Sequence, residues 1–425
     1  MNLILRHIYI WVILATFGLS ATAQEVQSGE ANLTAVESPD SGSICISILT
    51  CTPGPDLYSK FGHTALRVRD FSANRDVVFN YGCFDGSAND FVFKFLLGQT
   101  DYLLGAEPFD YLVERYGYMG VGVTEQVLNL SQEEAKEVLA RLLVNLRPEN
   151  QEYRYKWLGV NCTNMVQYMM ESLAEDEGGE VVYDWGDEHA QNMTVRDMLH
   201  EQLRLCPWTA FGIDMILGHE IDGFTLTDID PNLKQRTKLF LPSYFMEVVD
   251  RSMIKGKDGT KRKYVTGEHE LIPVVYEEGA PSVLTPMVVF ILLLMAVTGV
   301  SVYDWHRGAV SLWLDVTLAI IQGLAGLLVA FLYFFSEHPG VDSNWLVLIF
   351  NPLPLCYAGW MLSCQRRKKM NCLAVVNMAV LTAFLLTMWL CPQSFNAAMW
   401  MLALALWVRS IVYYIVDKKT YCKTI

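Results

Sequence analysis

Hydrophobic and polar positions divide the chain into three stretches. Residues 8–19 form one short apolar run. Residues 43–272 mix apolar and polar positions at strand and helix periods, and from residue 283 apolar runs of membrane length take over. Within the middle stretch, residues 44–49 read as a strand, and residues 51–56 as a proline- and glycine-bearing turn cluster. Residues 64–69 alternate apolar and polar, residues 70–75 turn, and residues 76–81 return, which predicts an antiparallel hairpin with His63 at its entrance. Ser131-Gln132-Glu133-Glu134 is a capping box ahead of a helix running to Leu146. Asn161 can cap a second helix, with Met165, Val166, Met169, Met170 and Leu173 at helical spacing. About 230 residues with this mixture predict one large α+β domain.

The first run reads as a secretory signal over residues 1–23, with Arg6 ahead of it and Ala21-Thr22-Ala23 as the cleavage site. As a helix it spans only about 18 Å, too short for a bilayer core of about 30 Å. An uncleaved anchor is the other reading, and both export the middle stretch. Residues 24–42 are polar and aperiodic, a flexible leader. At the other end, five runs have membrane length: residues 283–302, 310–335, 345–362, 372–391 and 397–416. Arg307, Arg366, Arg367, Lys368, Lys369, Lys418, Lys419 and Lys423 fall on one side of them. By the positive-inside rule that side is cytoplasmic, so the N-terminal domain is outside and the C-terminus inside. Pro352 and Pro354 interrupt the third span after Asn351, either as a packing kink or as a point of lipid access beside Asn344, Asn351 and His338. Asp315 is an acid within a span.

Composition sharpens this division. The chain is 52% hydrophobic and 18% charged, yet carries 46 acids and a net charge of −14 over 425 residues. From Ser282 onward there are 5 acids and 9 bases, a net of +4, so the part before it carries −18. An acidic exported domain on an apolar, mildly basic bundle excludes a soluble cytosolic enzyme and a nucleic-acid binder. One basic cluster breaks the trend: five bases within residues 255–263, on a hairpin around Asp258-Gly259 that is either solvated or laid on headgroups. The acids Asp214, Asp222, Asp228 and Asp230 lack the spacing of a calcium loop.

Five cysteines, Cys45, Cys51, Cys83, Cys162 and Cys206, lie in the exported part, an odd number that flags a free thiol. Cys162 falls in the first turn of its helix, where the dipole and unpaired amides favour thiolate. A thiolate at a helix start facing a histidine on a sheet edge is the arrangement of papain-like thiol enzymes. Spacing alone does not single out His63, since His189, His200, His219 and His269 lie in the same region.

Phe61-Gly62-His63-Thr64-Ala65-Leu66-Arg67-Val68 resembles the histidine motif of permuted papain-like proteins, in which the histidine precedes the cysteine. Asn161-Cys162-Thr163-Asn164 resembles their Asn-Cys motif. Asn80-Tyr81-Gly82-Cys83-Phe84-Asp85, Leu128-Asn129-Leu130-Ser131, Tyr153-Arg154-Tyr155 and Phe240-Leu241-Pro242 resemble, in order and spacing, the bacterial lipoprotein N-acyltransferases called Lnb. The resemblance covers most of the chain. It implies a permuted papain-like α+β catalytic domain over residues 43–282, followed by an all-α bundle of about five transmembrane helices over residues 283–425. It implies Cys162 as nucleophile, His63 as general base and a polar residue on the following strand to orient it, for which Asn80 is the candidate and Tyr81 the next; Tyr81, Asn161 and Asn351 are further candidates for substrate contact. The implied substrates are a membrane phospholipid as acyl donor and diacylated lipoproteins as acceptors. No cofactor, metal or nucleic acid is implied. The implied location is the bacterial inner membrane, with the catalytic domain periplasmic. The competing readings are a membrane-anchored NlpC-type peptidase using the same dyad and a non-enzymatic membrane sensor.

Overall fold

The computed structural model describes residues 43–84, 90–223, 236–280, 282–367 and 371–421. The signal and leader expected over residues 1–42 lie outside them, as do Asp85, Asp228, Asp230, Lys368, Lys369 and Lys423. By packing, the chain divides into two compact units.

The first unit is built on a seven-stranded antiparallel sheet. In chain order its strands are β1 (Ile44–Cys51), β2 (His63–Asp70), β3 (Arg75–Cys83), β4 (Asp101–Pro108), β5 (Val123–Leu128) and β6 (Glu152–Arg154). A small sheet of β7 (Glu180–Val182), β8 (Met253–Lys255) and β9 (Lys261–Lys263) comes next, and β10 (Val265–Ile272) returns to the large one. The large sheet runs β10-β5-β1-β2-β3-β4-β6. The expected hairpin is present, with Leu66 opposite Phe79.

Strand alternation buries both faces. Ile46, Ile48, Leu66, Val68, Phe79 and Tyr81 form one core, whereas Leu49, Cys51, Ala65 and Val78 belong to another. Helices α1 (Phe91–Leu97), α2 (Phe109–Met119), α3 (Gln132–Asn145) and α4 (Cys162–Asp176) lie between the strands in sequence. Phe109 and Leu112 of α2 join the second core, while Val138, Leu142, Val166, Met170 and Leu173 of α3 and α4 join the first. Both expected caps form. Ser131 Oγ accepts from the Glu134 amide while Glu134 Oε2 accepts from the Ser131 amide. Asn161 Oδ1 accepts from the amides of Thr163 and Asn164. The basic hairpin also forms, with Gly259 at φ +84°. Two of its bases are engaged within the unit, Lys255 with Glu180 and Arg262 with Glu134.

The second unit holds the C-terminal helices together with residues 199–223, a departure from the single exported domain expected over residues 43–282. The reason lies in side-chain bonding. Helix α5 (Pro207–Ile216) places Phe211 in the apolar core of the bundle. Asp214 accepts from His200 and from Asn396, and Asn344 Nδ2 donates to the Met215 carbonyl at 2.7 Å. Helix α6 (Pro242–Arg251) returns to the first unit, with Phe245 and Val248 fully buried.

The bundle comprises α7 (Pro286–Arg307), α8 (Leu312–Phe335), α9 (Leu353–Arg367), α10 (Cys372–Thr387) and α11 (Ala397–Tyr421). Among the described residues, four segments are long and apolar enough to cross a membrane, and the helical stretch Ala374–Leu390 is shorter. The third span breaks at its prolines as expected. A 3-10 turn over Trp345–Leu348 precedes α9, and the backbone groups freed between them find partners. Gln322 Nε2 donates to the Ile349 carbonyl at 2.7 Å, and Asn351 bonds the Leu348 carbonyl and the Leu353 amide. Gly326 lets this break approach α8, since a Cβ there would lie 2.3 Å from the Asn351 backbone.

Asp315 is not alone. Arg409 of α11 bonds both its oxygens, at 2.7 and 2.6 Å, and reaches Asp304 of α7 at 2.8 Å, all three being buried. Removing one member of such a cluster strands the others. Arg409→Met is expected to destabilise the full-length protein in detergent by about 3–5 kcal/mol, read from chemical unfolding. Replacing Asp304 and Asp315 with asparagine in the same chain should recover part of that loss.

Candidate active site

Three local features bring the site together. Gly62, at φ +74°, turns the chain into β2, where any Cβ would meet the Cys51 carbonyl oxygen at 2.5 Å. His63 therefore opens β2, opposite Cys51 at the end of β1. The ladder between β3 and β4 shifts register between Asn80 and Cys83. In that bulge Asn80 Oδ1 accepts from His63 Nε2 at 2.7 Å and from the Gly82 amide at 2.7 Å. Finally, the Asn161 cap holds the start of α4, with Cys162 in its first turn.

The imidazole leans on Gly82. A Cβ at that position would lie 2.6 Å from His63 Cε1 and 3.3 Å from Nδ1. With Nε2 committed to Asn80, Nδ1 is the nitrogen available to Cys162. The thiol and imidazole couple strongly. Burial raises the Cys162 pKa, but the His63 charge and hydrogen bond outweigh it, helped by the Thr64 amide and the Thr163 hydroxyl, and bring it down to about 7. Burial lowers the His63 pKa, and the Cys162 charge with hydrogen bonds to Cys162 and Asn80 more than reverses this, so it ends above its ordinary value. Cys51 is the contrast: burial pushes its thiol up to about 12. Burial likewise raises Cys83. Cys45, Cys51, Cys83 and Cys162 are all free thiols.

Of the six residues singled out from sequence, His63, Asn80 and Cys162 come together. Tyr81 points into the core, where its hydroxyl accepts from Asn145 Nδ2 at 2.9 Å, as strand alternation requires. Asn161 is spent on structure: besides capping α4 it donates to the carbonyls of Trp157 and Phe240 at 3.0 and 2.9 Å. Asn351 lies in the other unit and bonds its own backbone. Residues not singled out also contribute. Thr64 and Thr163 are fully buried, their hydroxyls 3.0 Å apart, with Thr163 Oγ1 at 3.9 Å from the Cys162 sulfur. Gly82 belongs to the same motif as Asn80, which was the available signal. The threonines carried none beyond adjacency to His63 and Cys162.

These residues all fall within one of two family matches. The Lnb N-terminal periplasmic domain matches residues 34–192, and the Lnb transmembrane domain matches residues 278–420. The chain belongs to the Lnb family. It is thus a member of a family of lipoprotein N-acyltransferases, membrane-embedded, with a periplasmic N-terminal domain. No curated protein and no solved structure was found to match it. The motifs that resemble Lnb in sequence acquire geometry here. Tyr153 donates its hydroxyl to the Tyr81 carbonyl, and the Phe240 carbonyl of Phe240-Leu241-Pro242 receives Asn161. Tyr155 stacks on Tyr102 at 4.3 Å.

The thiolate population rises with pH through the Cys162 pKa, so iodoacetamide alkylation of Cys162 should show a midpoint near 7, matching a pKa of about 7. His63→Ala removes the opposing charge and leaves burial unopposed. Its midpoint should move above the ordinary thiol value of about 8.5, with the rate at pH 7 down about tenfold or more. Thr163→Val should move it the same way by less, and a midpoint unchanged in both variants would refute the coupling.

Gly82→Ala tests the close approach separately. The added Cβ must displace the imidazole, so this variant should alkylate as slowly as His63→Ala while its circular dichroism stays that of the wild type.

Proposed function

We propose that the protein transfers an acyl chain from a membrane phospholipid, through a Cys162 thioester, to the α-amino group of the diacylglyceryl-cysteine of lipoproteins. The observation that carries this reading is the lowered Cys162 thiol beside an imidazole oriented by Asn80, in a chain of the Lnb family. Cys162 acts as nucleophile, His63 as acid and base, and Asn80 as the group that fixes the tautomer. The thiolate attacks the ester carbonyl, and the His63 imidazolium protonates the departing lysophospholipid oxygen from Nδ1. In the second half, the neutral amine attacks the thioester, His63 takes up its proton, and the thiolate leaves. Asn161 occupies the amides of Thr163 and Asn164, which leaves the Cys162 amide to donate to the oxyanion. Lipid substrates fit an enzyme anchored in the same bilayer, and the distribution of lysine and arginine supports a cytoplasmic C-terminus. An NlpC-type peptidase would use the same dyad, but a bundle of this size exceeds what an anchor needs.

Mass spectrometry of lipoprotein N-termini tests the reading in cells lacking the protein. Diacyl forms should accumulate, wild type should restore triacylation, and Cys162→Ala should not. Trapped protein should carry a hydroxylamine-labile acyl group on Cys162, and its appearance on Cys206 instead would overturn the assignment.

A further inference from the structure

Helix α1 is an anomaly in the first unit. Its sequence is Phe91-Val92-Phe93-Lys94-Phe95-Leu96-Leu97, six apolar residues in seven, and not one is buried. Val92 is 59%, Phe93 56% and Phe95 37% exposed, and Leu103 of the neighbouring β4 adds 38%. Water-facing helices of soluble domains are not composed this way, because each apolar side chain left wet forfeits about 1.5–3 kcal/mol of burial. The apolar surface also continues inward. The Phe91 ring stacks on Phe84 at 5.1 Å, Phe84 on Tyr102 at 4.9 Å, and Tyr102 on Tyr155 at 4.3 Å. Phe95 closes the outer side of this stack against Tyr155 at 6.3 Å.

The stack starts beside the site: Phe84 lies two residues beyond Gly82, the residue against which the His63 ring packs. Burial raises the phenols of both Tyr102 and Tyr155, helped at Tyr102 by the Cys162 charge and at Tyr155 by the Tyr102 and then the Cys162 charge, which keeps both protonated and neutral. An uncharged aromatic stack therefore runs from an exposed helix into the domain, beside the strand end that carries Asn80 and Gly82. Its composition suits hydrocarbon. A peptide or sugar would need polar partners along the way. The same chain carries apolar helices of membrane length, joined to β10 by residues 273–285, at most about 45 Å when fully extended. A bilayer is thus the one large apolar phase always within reach of this domain.

We infer that α1 is an interfacial helix seated among lipid acyl chains, with Val92, Phe93 and Phe95 in the hydrocarbon, and that the Phe91–Phe84–Tyr102–Tyr155 stack guides the acyl chain of the donor phospholipid to Cys162. This rests on the acyltransferase reading and adds the route by which its donor leaves the bilayer. The donor chain never crosses water: it slides from the leaflet along ring faces until its ester reaches the thiolate. Lys94, exposed on the same helix, pairs with Asp90 at 2.9 Å, which keeps its charge at the helix's polar edge and out of the hydrocarbon.

The test uses full-length protein and follows only the first half-reaction, so that no lipoprotein acceptor is involved. Hydroxylamine-labile acylation of Cys162 is measured with two donors. One is a vesicle bilayer of phosphatidylethanolamine and phosphatidylglycerol into which the protein is reconstituted. The other is water-soluble dihexanoyl-phosphatidylglycerol below its micellar concentration. For the double variant Val92→Ser with Phe93→Ser, the ratio of bilayer to soluble-donor rates should fall about tenfold or more. Val92→Leu with Phe93→Leu, which keeps the surface apolar, should restore it. An unchanged ratio overturns the inference, whether both rates hold or both fall together, the latter making α1 a structural part of the site. Wild-type protein forming no Cys162 thioester from either donor would sink the acyltransferase reading, and the inference with it.

Discussion

One side-chain oxygen holds the candidate site together. Asn80 Oδ1 receives two hydrogen bonds at once, from His63 Nε2 and from the Gly82 amide. The first fixes the ring and its tautomer. The second folds the backbone after Asn80 into a bulge, which brings Gly82 beneath the ring. The bulge restores nothing to the ladder, so the cost of breaking pairing there is offset by the side chain that caused it. Once the imidazole is held, its charge decides the state of Cys162, and that charge outweighs the burial that leaves Cys51 an inert thiol. Asparagine suits this position because it accepts without carrying charge. An aspartate would hold the imidazolium more tightly and compete with Cys162 for it.

Where structure is encoded locally, it was legible. Strands β1 to β3 alternate cleanly, the cap residues of α3 and α4 sit where capping needs them, and the Asp258-Gly259 turn closes its hairpin. Strands β4, β5, β6 and β10 were not. The edge strand β10 shows why: it carries the polar run Glu268-His269-Glu270, none of it buried, and pairs with β5 from far along the chain, so neither periodicity nor proximity marks it. In the site, the cap and the family motifs pointed to Cys162, His63 and Asn80. The Thr64–Thr163 contact joins residues 99 positions apart and has no signature in either segment. Arg409 hid for the opposite reason, since one arginine barely alters the hydropathy of a long apolar run.

Several polar groups inside the bundle are matched by one from another segment. Arg409 meets Asp304 and Asp315, Gln322 meets the freed Ile349 carbonyl, and Trp407 Nε1 donates to Thr382 Oγ1. Such pairs are costly to bury and gain little stability over apolar packing, but they penalise wrong helix registers heavily. The proline break belongs to the same scheme. Asn351 and Gln322 absorb the backbone groups that the prolines release, and glycine at 326 makes room for the result.

The segment 199–223 packs with helices that come much later in the chain, and this imposes an order on biosynthesis. Asp214 and its partner Asn396 are separated by 182 residues. At a ribosome speed of roughly 5–20 residues per second, Asp214 emerges on the order of 10–40 s before the residue that completes its bonding. For that interval an apolar helix carrying Trp208 and Phe211 exists without its core. The nascent chain must keep it from aggregating until the last helix is made, so maturation of the second unit is tied to completion of translation.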